Sequence, residues 1–203
     1  MANPVSICNL ALSYIGDSAS VASIDPPEGG PQAQMCATMY PMAVNALLEM
    51  HDWTFATRRA TVAQYANEDA HGWKGAYTVP ADCLRVVRVH SGSRQHADEP
   101  NDQEFELGAS AKGRVLYTNA DAPVVTYISS STKPAVFSNA FVIALAWYLA
   151  NMLAGQRVKG KEGHAMSQNC MKQFDVAVRL AKGYDASQQK NSLGVTPKWI
   201  KER

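Results

Sequence analysis

Residues 135–154 read AVFSNAFVIALAWYLANMLA, and the placement of this run decides the fold. Phe137, Phe141, Ala144, Leu145, Tyr148, Leu149 and Met152 recur at three- and four-residue spacings, the period of a helix with an apolar face. Val136, Ile143, Trp147 and Leu153 widen that face until it nearly encircles the helix, which predicts a central helix buried on most sides. A membrane span needs about 20 mostly apolar residues. Ser138, Asn139 and Asn151 interrupt this run and no second run resembles it, so a soluble core helix is expected. Lys133 and Pro134 before it and Gly155 after it mark its ends.

Both ends of the chain supply partners for this helix. Asn3 and Pro4 form a cap and first turn, Ile7, Leu10, Ala11 and Tyr14 line one face, and Gly16 stops the helix. Pro31 opens a second helix running to about Met50, with Met35, Met39, Met42, Ala46 and Leu47 as its apolar face and a kink expected at Pro41, a pattern that two shorter helices meeting at Pro41 would share. A last helix is predicted from about His164 to Ala186, with Met171, Phe174, Val178 and Ala181 inward. Between these, alternation replaces helical periodicity. Strands are predicted at Thr61–Tyr65, Gly75–Val79, Leu84–His90, Glu104–Leu107, Arg114–Thr118 and Val124–Ser129, with a long polar run from Ser91 to Asp102. Strands grouped between helices, not alternating with them, predict an α+β fold. Residues 1–58 and 134–187 make a helical bundle, 59–133 an inserted antiparallel β domain, and 188–203 an extended C-terminal docking tail.

The net charge of +1 conceals an asymmetry. No Lys or Arg precedes Arg58, while Asp17, Asp25, Glu28, Glu49 and Asp52 make that segment acidic. From Arg157 onward ten basic residues face only Glu162, Asp175, Asp185 and Glu202. The ends are thus complementary, within one subunit or between neighbours. Neither has the character of a surface that coats nucleic acid. The apolar N-terminus lacks the basic region of a signal peptide, and Cys8, Cys36, Cys83 and Cys170 are scattered as buried thiols would be, with no CxxC pair.

Catalytic patterns are broken wherever they begin. Gly155 to Lys161 matches the first seven positions of a phosphate-binding loop, but Glu162 stands where a Mg²⁺-binding hydroxyl is needed and a helix, not a strand, precedes it. A helix-helix turn is the plainer reading. No pair of the five histidines has i, i+4 ligand spacing, so neither a metal nor a cofactor is expected. There is no GxSxG, Cys83 falls in an apolar strand, and Asp82 with Asp98, Asp102 and Glu104 shows no spacing that singles out an acid-base pair. No catalytic residue is assigned. Trp53, Trp73 and Trp199 are aromatic anchors suited to interfaces, although core burial accounts equally for the first two.

Three segments carry a resemblance. ALSYIG from Ala11, LLEMHDWTFATRRA from Leu47 to Ala60, and WKGAYTVPADCLRV from Trp73 to Val86 resemble the head-to-tail adaptor proteins of short-tailed bacteriophages, the tail tubular protein A family. The Val-Thr-Tyr-Ile strand and the Ala-rich helix from near Phe137 fall where that family has them, so the resemblance spans most of residues 5–185. It implies a non-enzymatic virion protein at the head–tail interface, assembled in the host cytoplasm. Such a subunit forms a homo-oligomeric ring, typically dodecameric, which docks beneath the portal protein, receives the tail nozzle protein and lets double-stranded DNA pass through its channel. The loop from Ser91 to Asp102 and the tail after Ser187 carry no resemblance. Trp199, with Lys198 and Ile200, is the expected partner anchor, and Arg157, Lys159 and Lys161 are cations available to an anionic partner. The rival expectations are a virion-associated cell-wall hydrolase and a small nucleic-acid-binding module, neither supported by a positive motif.

Overall fold

A computed structural model describes residues 2–18, 20–65, 70–92, 102–110, 113–157 and 160–188. Helix α1 spans Pro4–Tyr14. Asn3 caps it reciprocally: its side chain accepts from Ser6 N at 2.7 Å while Ser6 Oγ accepts from Asn3 N at 3.1 Å. Before the second helix the chain forms a short hairpin of β1 (Ser23–Ile24) and β2 (Pro27–Glu28). Asn9 holds its base, donating to Val21 O at 3.0 Å and accepting from Val21 N at 2.8 Å. Gly29 follows at φ 111°, where an added Cβ would lie 2.8 Å from Ser20 O, so no other residue fits there.

Helix α2 spans Pro31–Glu49 and runs through Pro41 as one element. Pro41 is exposed, so the helical bond it cannot donate is lost on the solvent side, where a helix bends most easily. The inward row is Ala33, Cys36, Tyr40, Ala43, Val44, Leu47 and Leu48. That is about one residue, or 100°, around the helix from the methionine face expected. Met42, at 59% exposed, lies outside the core.

Seven strands follow: β3 (Thr57–Thr61), β4 (Gly75–Thr78), β5 (Cys83–His90), β6 (Asp102–Gln103), β7 (Phe105–Ser110), β8 (Gly113–Thr118) and β9 (Val124–Ser129). They form two antiparallel sheets, ordered β3-β9-β5-β6 and β4-β8-β7. The first strand starts four residues before Thr61, because Thr57 pairs with Ile128 and Thr61 with Val124. Beyond it the chain crosses to the other sheet, bridging Gln64 to Tyr77. Val86, Val89, Val125 and Tyr127 of the first sheet pack with Tyr77 and Leu116 of the second. Leu84, Val87 and Ile128 instead join the helical core.

A 3₁₀ turn at Pro134–Val136 leads to α3 (Asn139–Arg157), and α4 spans Gly160–Gln188. Ser138 Oγ accepts from Phe141 N at 3.2 Å at the start of α3. Phe141, Leu145, Leu149 and Leu153 are 0% exposed, which makes α3 the central helix of an α+β fold. Tyr14 of α1 stacks on Trp147 at 3.8 Å. Helix α4 lies antiparallel to α3, with Phe174 5.0 Å from Tyr148 and Ser167 donating to Asn151 Oδ1 at 2.6 Å. Trp53, Phe55, Phe137 and Phe141 knit the turn after α2 to this core. Trp53 is therefore a core residue.

Candidate docking surface

Helix α3 is not buried all round. Ile143 is 43% exposed, and on α4 Val176, Leu180 and Tyr184 are 51%, 68% and 53% exposed. The last three recur every four residues and so form one row beside the inward stripe of α4. Ile143, Val176 and Leu180, with Ala140, Trp147, Gln173 and Ala177, line a shallow cleft of about 240 Å³ between the two helices, whose surface is mostly apolar. At Ala140 the cleft meets a wider recess that reaches Val136, Tyr184 and Gln188, at the end of α4. Large side chains gathered at one place, outside the core, mark a surface that a partner can bury.

The charge pattern agrees. Across α1, α2 and α3 only Glu49 and Arg157 carry charge, whereas about a quarter of residues are charged in ordinary proteins. Surface helices without charge match the centres of interfaces, where charged groups are depleted. Helix α4 is the charged one, carrying Lys172, Arg179 and Lys182 among others.

The site residues expected from sequence fall elsewhere. Lys198, Trp199 and Ile200, with the rest of residues 189–203, lie outside the described residues, as does Lys159, whereas Gln188, expected in the tail, is the last residue of α4. Arg157 ends α3 and Lys161 stands in the first turn of α4, so the described part of Gly155 to Lys161 belongs to the end of one helix and the start of the next, not to a strand and its following loop. Most of the Ser91–Asp102 run also lies outside the described residues.

Asp98 lies outside the described residues, and Asp82 and Asp102 stand far apart. Asp82 precedes β5, whereas Asp102 meets His90 at its far end at 3.1 Å; seven residue steps at about 3.3 Å separate those ends by roughly 23 Å. Ser129 Oγ donates to Asp82 at 2.6 Å, Tyr127 OH at 3.1 Å, and Arg58 lies 3.6 Å away. The Ser129 bond, followed by those of Tyr127 and the charge of Arg58, holds the Asp82 carboxyl below the ordinary carboxylate value despite partial burial. Asp82 thus locks the end of β9 to the start of β5. Asp82→Asn should lower stability by about 1.5–3 kcal/mol at neutral pH, the worth of hydrogen bonds to a charged group. Because the folded value is depressed, this contribution is full above the unfolded value near pH ~4 and is lost as pH falls through the folded value. In urea melts of both proteins the difference should therefore be largest near pH 7 and narrow as pH falls below about 4.

A polar recess of about 400 Å³ lies where the sheet meets the turn after α2, lined by Asp52, Thr54, Thr57, Arg59, Val87, Arg88, His90 and Thr126. Its charges are largely paired: Asp52 with Arg85, and Arg88 and His90 with Asp102. All four cysteines are buried and free, and burial pushes the Cys83 thiol up, away from a reactive thiolate. Among the described residues no cluster of His, Cys, Asp and Glu could hold a metal ion, and no helix is long and apolar enough to cross a membrane.

Compared with known proteins, the sequence matches no family model and no curated protein. The exposed α3–α4 cleft is therefore the feature from which a function is argued. Sequence reasoning treated Ile143 as buried and passed over Val176, Leu180 and Tyr184. The i, i+4, i+8 spacing of the last three was the available signal, since α4 already has a complete inward row without them.

Proposed function

We propose that the protein is a structural, non-enzymatic ring subunit of a virion, joining the portal to the tail nozzle and lining part of the channel through which double-stranded DNA leaves. The observation that carries this reading is the apolar α3–α4 cleft on a bundle whose other helices are almost free of charge. Assembly, not turnover, is what such a surface serves. The resemblance of residues 47–60 and 73–86 to head-to-tail adaptors names the assembly. A net charge of +1 accords with a channel that does not grip the duplex, because each neutralised phosphate strengthens binding. In this reading the tail at 188–203 docks on the portal through Lys198, Trp199 and Ile200, while Arg157, Lys159 and Lys161 lie toward an anionic partner surface.

Mixing the purified chain with the portal ring encoded by the same genome should give a second, coaxial ring in electron micrographs. Bare portals beside free monomers at all salt concentrations would sink the proposal. Removing residues 188–203 should leave the thermal transition within about 2 °C of the full chain, since the described core is built from residues up to Ala181, and abolish incorporation on the portal. A truncated chain that still decorates portals would remove the tail from the docking role.

A further inference from the structure

The polar recess between the first sheet and the turn after α2 is crossed by a single row of that sheet. Arg59 on β3 and Arg88 on β5 are each paired with Thr126 on β9, so the three residues stand abreast on three strands, and all three line the recess. Neighbouring strands lie about 4.8 Å apart, which sets the two arginine stems roughly 10 Å from each other with a threonine between them. Arg59 is exposed and makes no hydrogen bond or ion pair among the described residues. Arg88 has Asp102 at 3.7 Å, beyond hydrogen-bond reach, because that carboxylate lies closer to His90 Nδ1, at 3.1 Å. His90 in turn meets Thr126 Oγ1 through Nε2 at 3.2 Å. The carboxylate of Asp52 on the recess wall is engaged by Arg85. Three guanidinium groups therefore meet two carboxylates here, and the unmatched cation is Arg59.

We propose that this recess binds a phosphate group between the forks of Arg59 and Arg88. A carboxylate is satisfied by one guanidinium fork, whereas a tetrahedral phosphate has oxygens enough for two, which is what a pair of arginines on either side of one strand offers. The hydroxyls of Thr54 and Thr57 do not serve it, since they donate to Asp185 and to Trp53 O. Binding therefore rests on the two arginines, and a single excess charge at a solvent-facing site places the affinity in the millimolar range. The volume of about 400 Å³ falls within the range of small-molecule sites and exceeds one phosphate, so there is room for the bare anion or for the same group on a small polyol. The recess shares no lining residue with the α3–α4 cleft, and phosphate binding does not depend on ring formation.

Sodium phosphate added to the isotope-labelled full chain at fixed ionic strength should shift the amide NMR signals of Arg59, Arg88 and Thr126 saturably. Sodium acetate, which occupies one fork only, should bind about 10-fold more weakly. Arg59→Gln and Arg88→Gln change exposed side chains, so circular dichroism should match the wild type while phosphate binding weakens about 10–100-fold. Arg59→Lys keeps the charge without the fork and should fall between. Lys172→Gln removes an exposed cation of α4, roughly 20 Å along the helix from Asp185, and should bind as the wild type does. Glycerol phosphate separates the two sources of the group: tighter binding than phosphate assigns the rest of the recess to the carrier, equal binding assigns the site to the bare anion, and either supports a phosphate site. The proposal is overturned if no saturable shift occurs through the millimolar range, if Arg59→Gln binds as the wild type does, or if acetate matches phosphate. Equal losses in Lys172→Gln and Arg59→Gln would also overturn it, since they would reveal a diffuse cationic surface.

Discussion

Trp53→Ala is expected to destabilise the chain by about 3–5 kcal/mol, the range for removing a large aromatic side chain from a core. Its ring is 0% exposed and meets Phe141 edge-on at 4.9 Å, with Phe55 at 5.8 Å and His51 at 4.9 Å. Nε1 donates to Leu47 O at 2.9 Å, so the indole also fixes how the chain leaves α2. Among the described residues no other ties the end of α2 to the central helix through both packing and a buried polar bond. A domain of this kind is held by only about 5–15 kcal/mol, so the loss takes a large share of it. Trp53→Phe separates the two contributions. It keeps an aromatic body against Phe141, and Leu47 O retains the bond from Met50 N at 3.3 Å, so a smaller cost of about 1–2 kcal/mol is expected. Urea unfolding of the three proteins decides it: an alanine variant within 1 kcal/mol of the wild type would show that the knot of rings is not what anchors the turn.

The parts of this fold that were legible in the sequence are those where one local signal has one outcome. Asn3-Pro4 begins α1 because a capping side chain and a proline fit only a helix start, and Val124–Ser129 reads as a strand rich in β-branched and aromatic residues because Val125 and Tyr127 meet the second sheet while Ile128 joins the helical core. Legibility failed where two faces are equally apolar. In α2 the methionine row and the row through Cys36, Tyr40, Ala43 and Leu47 both satisfy a helical period, and only packing against α1 and α3 selects the second. Similarly Met171, at 40% exposed, gives its expected place to Cys170. The strand at Thr57–Thr61 was hidden because Arg58 and Arg59 break any apolar alternation; its pairing partner lies more than sixty residues away, a distance no local pattern records.

The candidate surface was harder to see than the fold. A core helix and an interface helix both read as apolar, and the difference is how many neighbours one subunit can supply. The near-encircling apolarity of residues 135–154 was the clue: one subunit covers α3 with α1, α2 and α4 yet leaves Val136 54% and Ile143 43% exposed. The same excess makes Leu180 and Tyr184 legible afterwards, since a charged helix that keeps a second apolar row has a use for it.

The second large effect is expected at Asp185, which sequence reasoning counted only as a charge. It continues the buried row of Phe174, Val178 and Ala181, a position where a carboxylate survives only if its oxygens are bonded. It is 4% exposed, accepts from Thr54 N at 3.1 and 3.2 Å and from Thr54 Oγ1 at 2.7 Å, and lies 3.5 Å from His51 Nε2. Asp185→Ala leaves the Thr54 amide and hydroxyl without this acceptor in a part-buried place, for an expected loss of about 2–4 kcal/mol. In a double-mutant cycle with Thr54→Ala, residues acting as one unit should show a coupling of about 1–2 kcal/mol; additive losses would mean that Asp185 acts alone. The bond also joins the last turn of α4 to the turn after α2, three residues before the described chain ends at Gln188. Asp185 therefore fixes the last turn of α4 against the bundle, just ahead of the segment proposed to dock on a portal, although it need touch no partner itself. Asp185→Ala should reduce ring incorporation on the portal together with stability, whereas deleting 188–203 should abolish incorporation with stability unchanged. Lost incorporation at full stability in Asp185→Ala would instead place the carboxylate in the partner contact.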